Sequence, residues 1–208
     1  MSATAAEPDV LTVPEAARRR RSVRTFESTP VPRADLEAIL DVVRRAPSAF
    51  NAQPWRVVVV ESPAMRERLL PAANNQRQVR SAPVTLVLYT DMADVLATAE
   101  ETVHADTPAE RRAASAAKLG EIYGPKAEAE REAWAYAQGH IALGYLLLAA
   151  EAYGYQTSPM AGFDEGAVRR LLGLPPASRV VALVALGRGA EPGREHHRHA
   201  LGRVARYV

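Results

Sequence analysis

The segment Gly139–Ala150, reading GHIALGYLLLAA, constrains the fold more than any other stretch. It is the second half of a helical pattern that runs from about Ala127 to Tyr153, and its apolar residues cover nearly the whole circumference. A helix of that kind has no face to spare for water, so it must lie centrally and be covered on most sides. Gly139, Ala142 and Gly144 leave room for another backbone to come close. The apolar run is too short, and too closely flanked by His140 and Glu151, to span a bilayer. On such a helix His140 reads as a core histidine with its ring satisfied rather than as a catalytic one. Gly154 follows as the residue that ends the helix.

The rest of the chain supplies layers to cover it. Arg56–Val60 is continuous and β-branched, and reads as a central strand buried on both faces. Val84–Tyr89 and Arg179–Gly187 read as two more buried strands. Helices fall between them. Thr12 and Glu15 form a capping box before a short helix running into the arginines. Leu36, Ile39, Leu40 and Val43 make the apolar stripe of a second helix, from about Pro32 to Arg45. Ser62-Pro63 opens a third helix, and Asp91 to about Val103 a fourth. Thr107-Pro108-Ala109-Glu110 reads as another capping box, opening a helix to about Leu119. Asp164 caps a further helix closed by Gly173, after a turn-rich loop at 157–164. Three buried strands among helices indicate a layered α/β or α+β domain. Residues 1–11 are expected to be a flexible terminus and 12–208 a single domain. Region 104–132, poor in large apolar residues, is expected to form a lid or arm.

What is missing narrows the chemistry. The 208 residues contain no cysteine, which removes disulfides, thiolate catalysis and Fe–S ligation. A net charge of +2 leaves no global basic excess for a nucleic-acid surface. The sequence has no glycine-rich dinucleotide fingerprint after its first strand, no Walker loop and no nucleophile elbow. His196, His197 and His199 lack a supporting carboxylate at a ligand spacing, so no metal site is expected. No basic-then-apolar leader is legible, so a cytoplasmic protein without membrane or nucleic-acid partners is expected.

Two stretches do not read as core. Arg18–Arg21, followed by Ser22 and Arg24, packs five guanidiniums around a hydroxyl. Cations suit a helix C-terminus, but consecutive arginines repel one another, and arginine is the preferred partner of phosphate. Ala46–Trp55 sets Ser48, Asn51 and Gln53 between Pro47 and Pro54, as a polar loop feeding a strand. Together they suit an anionic, hydrogen-bond-rich ligand.

In the order and spacing of these parts the chain resembles the FMN-dependent nitroreductases from Arg20 to its end. The resemblance rests on Arg20-Arg21-Ser22-Val23-Arg24, the segment 47–55, the long helix, Ser158–Asp164, the Ala185-Leu186-Gly187 strand end and the basic tail. It implies an α+β three-layer sandwich with a central, mostly antiparallel sheet, and an intertwined homodimer with FMN at the interface. It implies that Arg20, Arg21 and Ser22 hold the phosphate and ribityl chain, and that Arg24 lies near the pyrimidine edge. Pro47, Ser48, Ala49 and Asn51 would come from the partner copy. Asn75 and Gln78 would touch the ring edge. Met160, Ala161 and Gly162 would pack near the ring, and His196 and Arg198 would close on the phosphate. Ala161 departs from the glutamate many relatives carry there.

The implied activity is ping-pong transfer of hydride from NADH or NADPH, through flavin N5, to nitroaromatics, quinones or similar planar acceptors. No side chain of the protein need serve as a catalytic acid or base. The alternatives are enal or semialdehyde reduction or dehalogenation on the same fold, and a non-catalytic FMN-binding protein.

Overall fold

The computed structural model describes residues 10–208. Its centre is a sheet of four strands, β1 (Trp55–Val60), β2 (Val84–Thr90), β3 (Gln156–Met160) and β4 (Arg179–Gly187), in the order β1-β2-β4-β3. Every neighbouring pair is antiparallel. One face carries α1 (Val13–Arg19), α2 (Arg33–Val43) and α7 (Glu128–Ala152). The other carries α3 (Pro63–Leu69), α4 (Arg77–Ser81) and α8 (Glu165–Leu172). Two further helices, α5 (Met92–Ala97) and α6 (Ala109–Tyr123), pack at one end around Met92, Val95, Leu119 and Tyr123. A last turn of helix, α9 (Leu201–Val204), lies in the tail. The result is a three-layer α+β sandwich.

The long helix lies where its sequence requires. Ala142, Leu146 and Ala150 are fully buried against Leu86, Leu88 and Val184 of the sheet. At Gly139 the approach is so close that a Cβ would come within 2.6 Å of Val181 Cγ2 and 3.0 Å of Thr90 Cγ2. Gly144 is different: nothing lies within 4 Å of its Cβ position. It belongs to an outward stripe with His140, Ile141 and Tyr145, all exposed in the single chain. His140 is therefore not a core histidine. Its Nδ1 sits 2.9 Å from the Tyr136 carbonyl, and its ring packs edge-on against Tyr136.

Several expectations need correction. Residues 156–160 are a strand, not a turn-rich loop. Ser158-Pro159 reads as a turn, but a proline is tolerated in an edge strand, and β3 is an edge. The run 56–60 is the opposite edge rather than a central strand, and its four middle residues, Arg56 to Val59, are only half-buried. Thr107 does not cap α6, which begins after Pro108 without a side-chain cap and runs on to Tyr123. Residues 128–132, counted with the region 104–132, belong to α7. On α3, Arg66 is half-buried. Its Nη1 donates to the Ala82 carbonyl at 2.5 Å, and its Nε is buried. The expected flexible terminus falls mostly outside the described residues, but Leu11 is held by its N–H on the Ala152 carbonyl at 3.1 Å. No helix among the described residues is long and apolar enough to cross a membrane.

The α5–α6 end is tied to α7 by one buried carboxylate. Glu132, 4% exposed, accepts from the Met92 N–H at 3.0 Å and from the Thr90 hydroxyl at 3.4 Å. Burial raises its pKa more than these bonds lower it. The folded state thus holds the Glu132 proton more tightly than the unfolded chain, and its contribution to stability falls as pH rises through the raised value. Glu132→Gln keeps an acceptor for Met92 without the charge. Its urea midpoint is expected to exceed that of the parent at neutral pH, with the two converging as pH falls toward the ordinary glutamate range.

Candidate functional site

The arginine cluster forms where α1 ends. Thr12 N–H donates to Glu15 at 2.9 Å and starts the helix, and Pro14 fits its first turn. At the other end Arg21 folds back. Its Nη1 donates to the carbonyls of Arg18 at 2.5 Å and Arg19 at 3.0 Å, which α1 leaves without intrahelical partners. Its Nη2 pairs with Glu195 at 3.1 Å, and Nη1 lies 2.8 Å from His196 Nε2. His196 Nε2 also lies 2.6 Å from the Arg20 carbonyl. Arg21 thus fastens the tail to the helix end. A Cβ at Gly193 would sit 2.3 Å from Arg21 Cβ, so the tail passes where only glycine fits.

Arg20 is placed differently. Its Nη1 is buried and has no hydrogen-bond partner among the described residues. Burial first, and then the Arg198 guanidinium, depress it from the usual arginine value. A buried guanidinium N–H without an acceptor calls for an anion. Its sequence neighbours Arg18, Arg19 and Arg21 line a cavity of about 560 Å³ together with Glu151 and Gln156. Ser22 bridges to Thr157 of β3, and Val23 N–H donates to the Thr157 carbonyl at 3.1 Å. Val23 and Phe26 are buried, which leaves Arg24 exposed. Arg198 is exposed and donates to the His197 carbonyl at 2.8 Å. His197 and His199 are exposed, and no group of three metal-ligating side chains occurs among the described residues.

The same edge strand brings in two further segments. Met160 ends β3 and is buried, with Ala161 and Gly162 exposed beyond it. Gln76 Nε2 donates to the Gly162 carbonyl at 2.8 Å, and Arg77 pairs with Glu191 at 3.2 Å. Asn74 and Asn75 both have positive φ, 54° and 55°, a region in which asparagine is favoured among non-glycine residues. Asn75 is exposed, whereas Gln78 is buried and spends its amide on Gln76 Oε1 at 2.9 Å. Within one chain, then, residues 20–24, 74–78, 160–162 and the tail gather along β3.

The segment 46–55 is not part of that gathering. The Ser48 hydroxyl accepts from Gln53 N–H at 2.9 Å, and Ala49 N–H donates to Gln138 Oε1 of α7 at 3.0 Å. Asn51 Nδ2 donates to the Thr102 carbonyl at 2.7 Å, and Pro47 is exposed. Phe50, Asn51 and Gln53 have φ of 58°, 53° and 45°. For Phe50, 53% exposed, that conformation carries strain. This segment leads into Trp55, which pairs through Thr90 with Arg179, whereas Thr157 pairs with Leu186. Along β4 those ends lie about 24 Å apart at ~3.4 Å per residue. Along α7, Gln138 and Glu151 are separated by about 20 Å.

Sequence reasoning missed Glu151, Gln76, Gln138 and Phe50. Glu151 stands out only as the charge that ends an apolar run. Gln76 sits beside the amides that were singled out. Gln138 and the φ of Phe50 carry no sequence signal.

If Arg21 fastens the tail, Arg21→Ala frees it. Limited trypsin digestion is expected to cut the variant after Arg194 and Arg198 well before the parent, with the parent core intact in both. Equal cleavage times would show that the tail is held by other contacts.

Comparison with known proteins adds relatives. The family model described as "Nitroreductase family" matches residues 17–188. A Thermus thermophilus protein named "NADH dehydrogenase" is 47% identical over 195 residues, covering 94% of this chain and 95% of its own. The crystal structure of a nitroreductase-like protein from Streptococcus mutans superposes with a TM-score of 0.82 at 26% identity, covering 93% of this chain and 96% of that one. A structure from Exiguobacterium sibiricum in complex with FMN superposes with a TM-score of 0.84 at 24% identity, covering 95% and 98%.

Proposed function

This chain belongs to the nitroreductase family, and from that premise we propose that it is an FMN-dependent oxidoreductase, using NADH or NADPH as electron donor and acting as a homodimer. The observation that carries the reading is Arg20: a buried guanidinium with an unpartnered Nη1, within an arginine run whose members Arg18, Arg19 and Arg21 line a cavity. That group fits a phosphomonoester. FMN, when bound, supplies the redox chemistry, accepting a hydride from the nicotinamide and passing electrons on after the nicotinamide has left.

The chain's own residues bind and orient. Arg20 and Ser22 hold the phosphate and ribityl chain, with Arg198 and His196 closing from the tail. Arg21 keeps the helix end and the tail in register. Arg24 lies at the pyrimidine edge, where a cation favours negative charge on the ring. Asn75 and Gln78 border the ring edge, with Met160, Ala161 and Gly162 behind it. Pro47, Ser48, Ala49 and Asn51 complete the site from the second copy. Two observations support that division. The segment lies about 20 Å or more from the arginine cluster within one chain. The apolar stripe of α7 at Ile141 and Tyr145 is open, 38% and 37% exposed.

The acceptors we propose are nitroaromatics, quinones and similar planar compounds. Phe50 supports this, offering an exposed flat ring edge-on to Tyr123 at 6.2 Å between centroids. Stacking on such a ring favours flat apolar molecules. The "NADH dehydrogenase" name of the Thermus relative supports a nicotinamide donor.

The purified protein is expected to be yellow, to bleach anaerobically with NADH or NADPH, and to regain colour on addition of a quinone or nitroaromatic. Arg20→Ala is expected to lose most of its flavin on desalting, while Arg68→Ala, on the exposed side of α3, retains it. A colourless protein refutes the cofactor, and equal retention in the two variants refutes the phosphate assignment. A yellow protein that nicotinamides leave unbleached refutes the activity.

A further inference from the structure

Glu151 is placed at a disadvantage three times over. It is 4% exposed, so its charge has lost most of its water. It stands in the last turn of α7, at the negative end of the helix dipole. Its Oε2 is buried without a hydrogen-bond partner, and it makes no ion pair within 4.0 Å among the described residues. What offsets this is the field of the arginines around it. It lines the same cavity as Arg18, Arg19 and Arg21. Burial raises its pKa, and Arg19, Arg20 and Arg21 pull the other way.

The charged groups around it among the described residues come from α1, the turn after it and the tail. Arg18 and Arg19 come from α1, and Arg20 and Arg21 follow directly. Glu191 and Glu195 line the cavity from the tail, with His196 and Arg198 beyond them. In the free protein the arginine charges are available to the carboxylate. A phosphate dianion seated on Arg20 takes up that charge and brings two negative charges of its own. The carboxylate then has burial, the helix dipole and the anion all against it, and nothing comparable in its favour.

We propose that Glu151 takes up a proton from solvent when a phosphomonoester occupies the arginine cluster, so that cofactor binding is coupled to neutralisation of a buried carboxyl. This rests on the reading of the cluster as the FMN phosphate site. By linkage the coupling runs both ways: conditions that keep Glu151 ionised weaken phosphate binding, and phosphate binding draws in a proton. The carboxylate also supplies a counter-charge that lets the cluster form before the anion arrives. Neutralised, its Oε2 gains an O–H donor in place of an unpaired acceptor.

The test is calorimetric titration of the flavin-free, full-length chain with FMN at about pH 8, well above the ordinary carboxylate range. Two buffers of unequal ionisation enthalpy give the number of protons taken up. The parent is expected to take up a proton, and Glu151→Gln to take up almost none while binding FMN about tenfold more tightly, the scale of removing one nearby like charge. Glu151→Leu should lose the uptake as well, which keeps the test open if the glutamine variant folds poorly. His196→Gln should retain it. Riboflavin, which lacks the phosphate, should show no uptake with any of them.

Uptake that survives in Glu151→Gln, or that disappears in His196→Gln alone, overturns the proposal while leaving the FMN site standing. Weaker FMN binding by Glu151→Gln, with a normal unfolding midpoint, also overturns it, since Glu151 would then serve only to position the arginines. Failure of the parent to bind FMN removes the site and the coupling together.

Discussion

The close contact between α7 and the sheet at Gly139 sets the position of everything else. With no side chain there, the helix sinks onto Val181 and Thr90, and its next turns bury Ala142, Leu146 and Ala150. That depth leaves Glu132 at one end to cap the start of α5, and Glu151 at the other to face the end of α1. One rigid rod therefore fixes the two ends of the molecule relative to each other. The arginine cluster stands at one of these ends and the 46–55 segment near the other, so their relative placement depends on this contact.

The regular parts of this fold were legible because their signals are local. The 3.6-residue stripe of α2, the capping of α1, α3 and α8, and the C-terminal glycines at 154 and 173 each depend on a few neighbouring residues. The misreadings share a physical cause. Whether the run 56–60 lies in the middle of a sheet or at its edge is decided by strands far away in sequence, and a valine run reads the same in both places. Ser158-Pro159 suggests a turn because proline lacks an N–H, yet an edge strand has an unpaired side on which that loss costs nothing. Thr107 offers the right side chain for a cap, but Arg112 donates to its carbonyl at 3.2 Å and the helix starts from Pro108 instead.

In the site, the residue types were legible and their division of labour was not. Four adjacent arginines announce an anion, but only geometry separates Arg21, whose donors are spent on α1 and the tail, from Arg20, whose Nη1 has no partner. Gln76 and Gln78 are alike in composition. Gln76 reaches the Gly162 carbonyl with its amide nitrogen, whereas Gln78 is buried and spends its own amide nitrogen on the Gln76 side-chain oxygen. Glu151 was invisible because a charge after an apolar run reads as the end of a core segment.

The proposed homodimer would also account for the open apolar stripe of α7. A single copy places its arginines and its Ser48–Asn51 segment at opposite ends of β4 and α7, too far apart for one small ligand to span. A two-fold axis that brings the outward stripes of α7 together would set each copy's arginine end beside the other's 46–55 segment, because antiparallel helices meet end to opposite end. Ile141, Gly144 and Tyr145 lie on that stripe, and Gly144 has the free space that close helix contact needs. In that proposed arrangement association and ligand binding would draw on the same interface. A change that parted the helices would then empty the cleft even with every residue lining it intact.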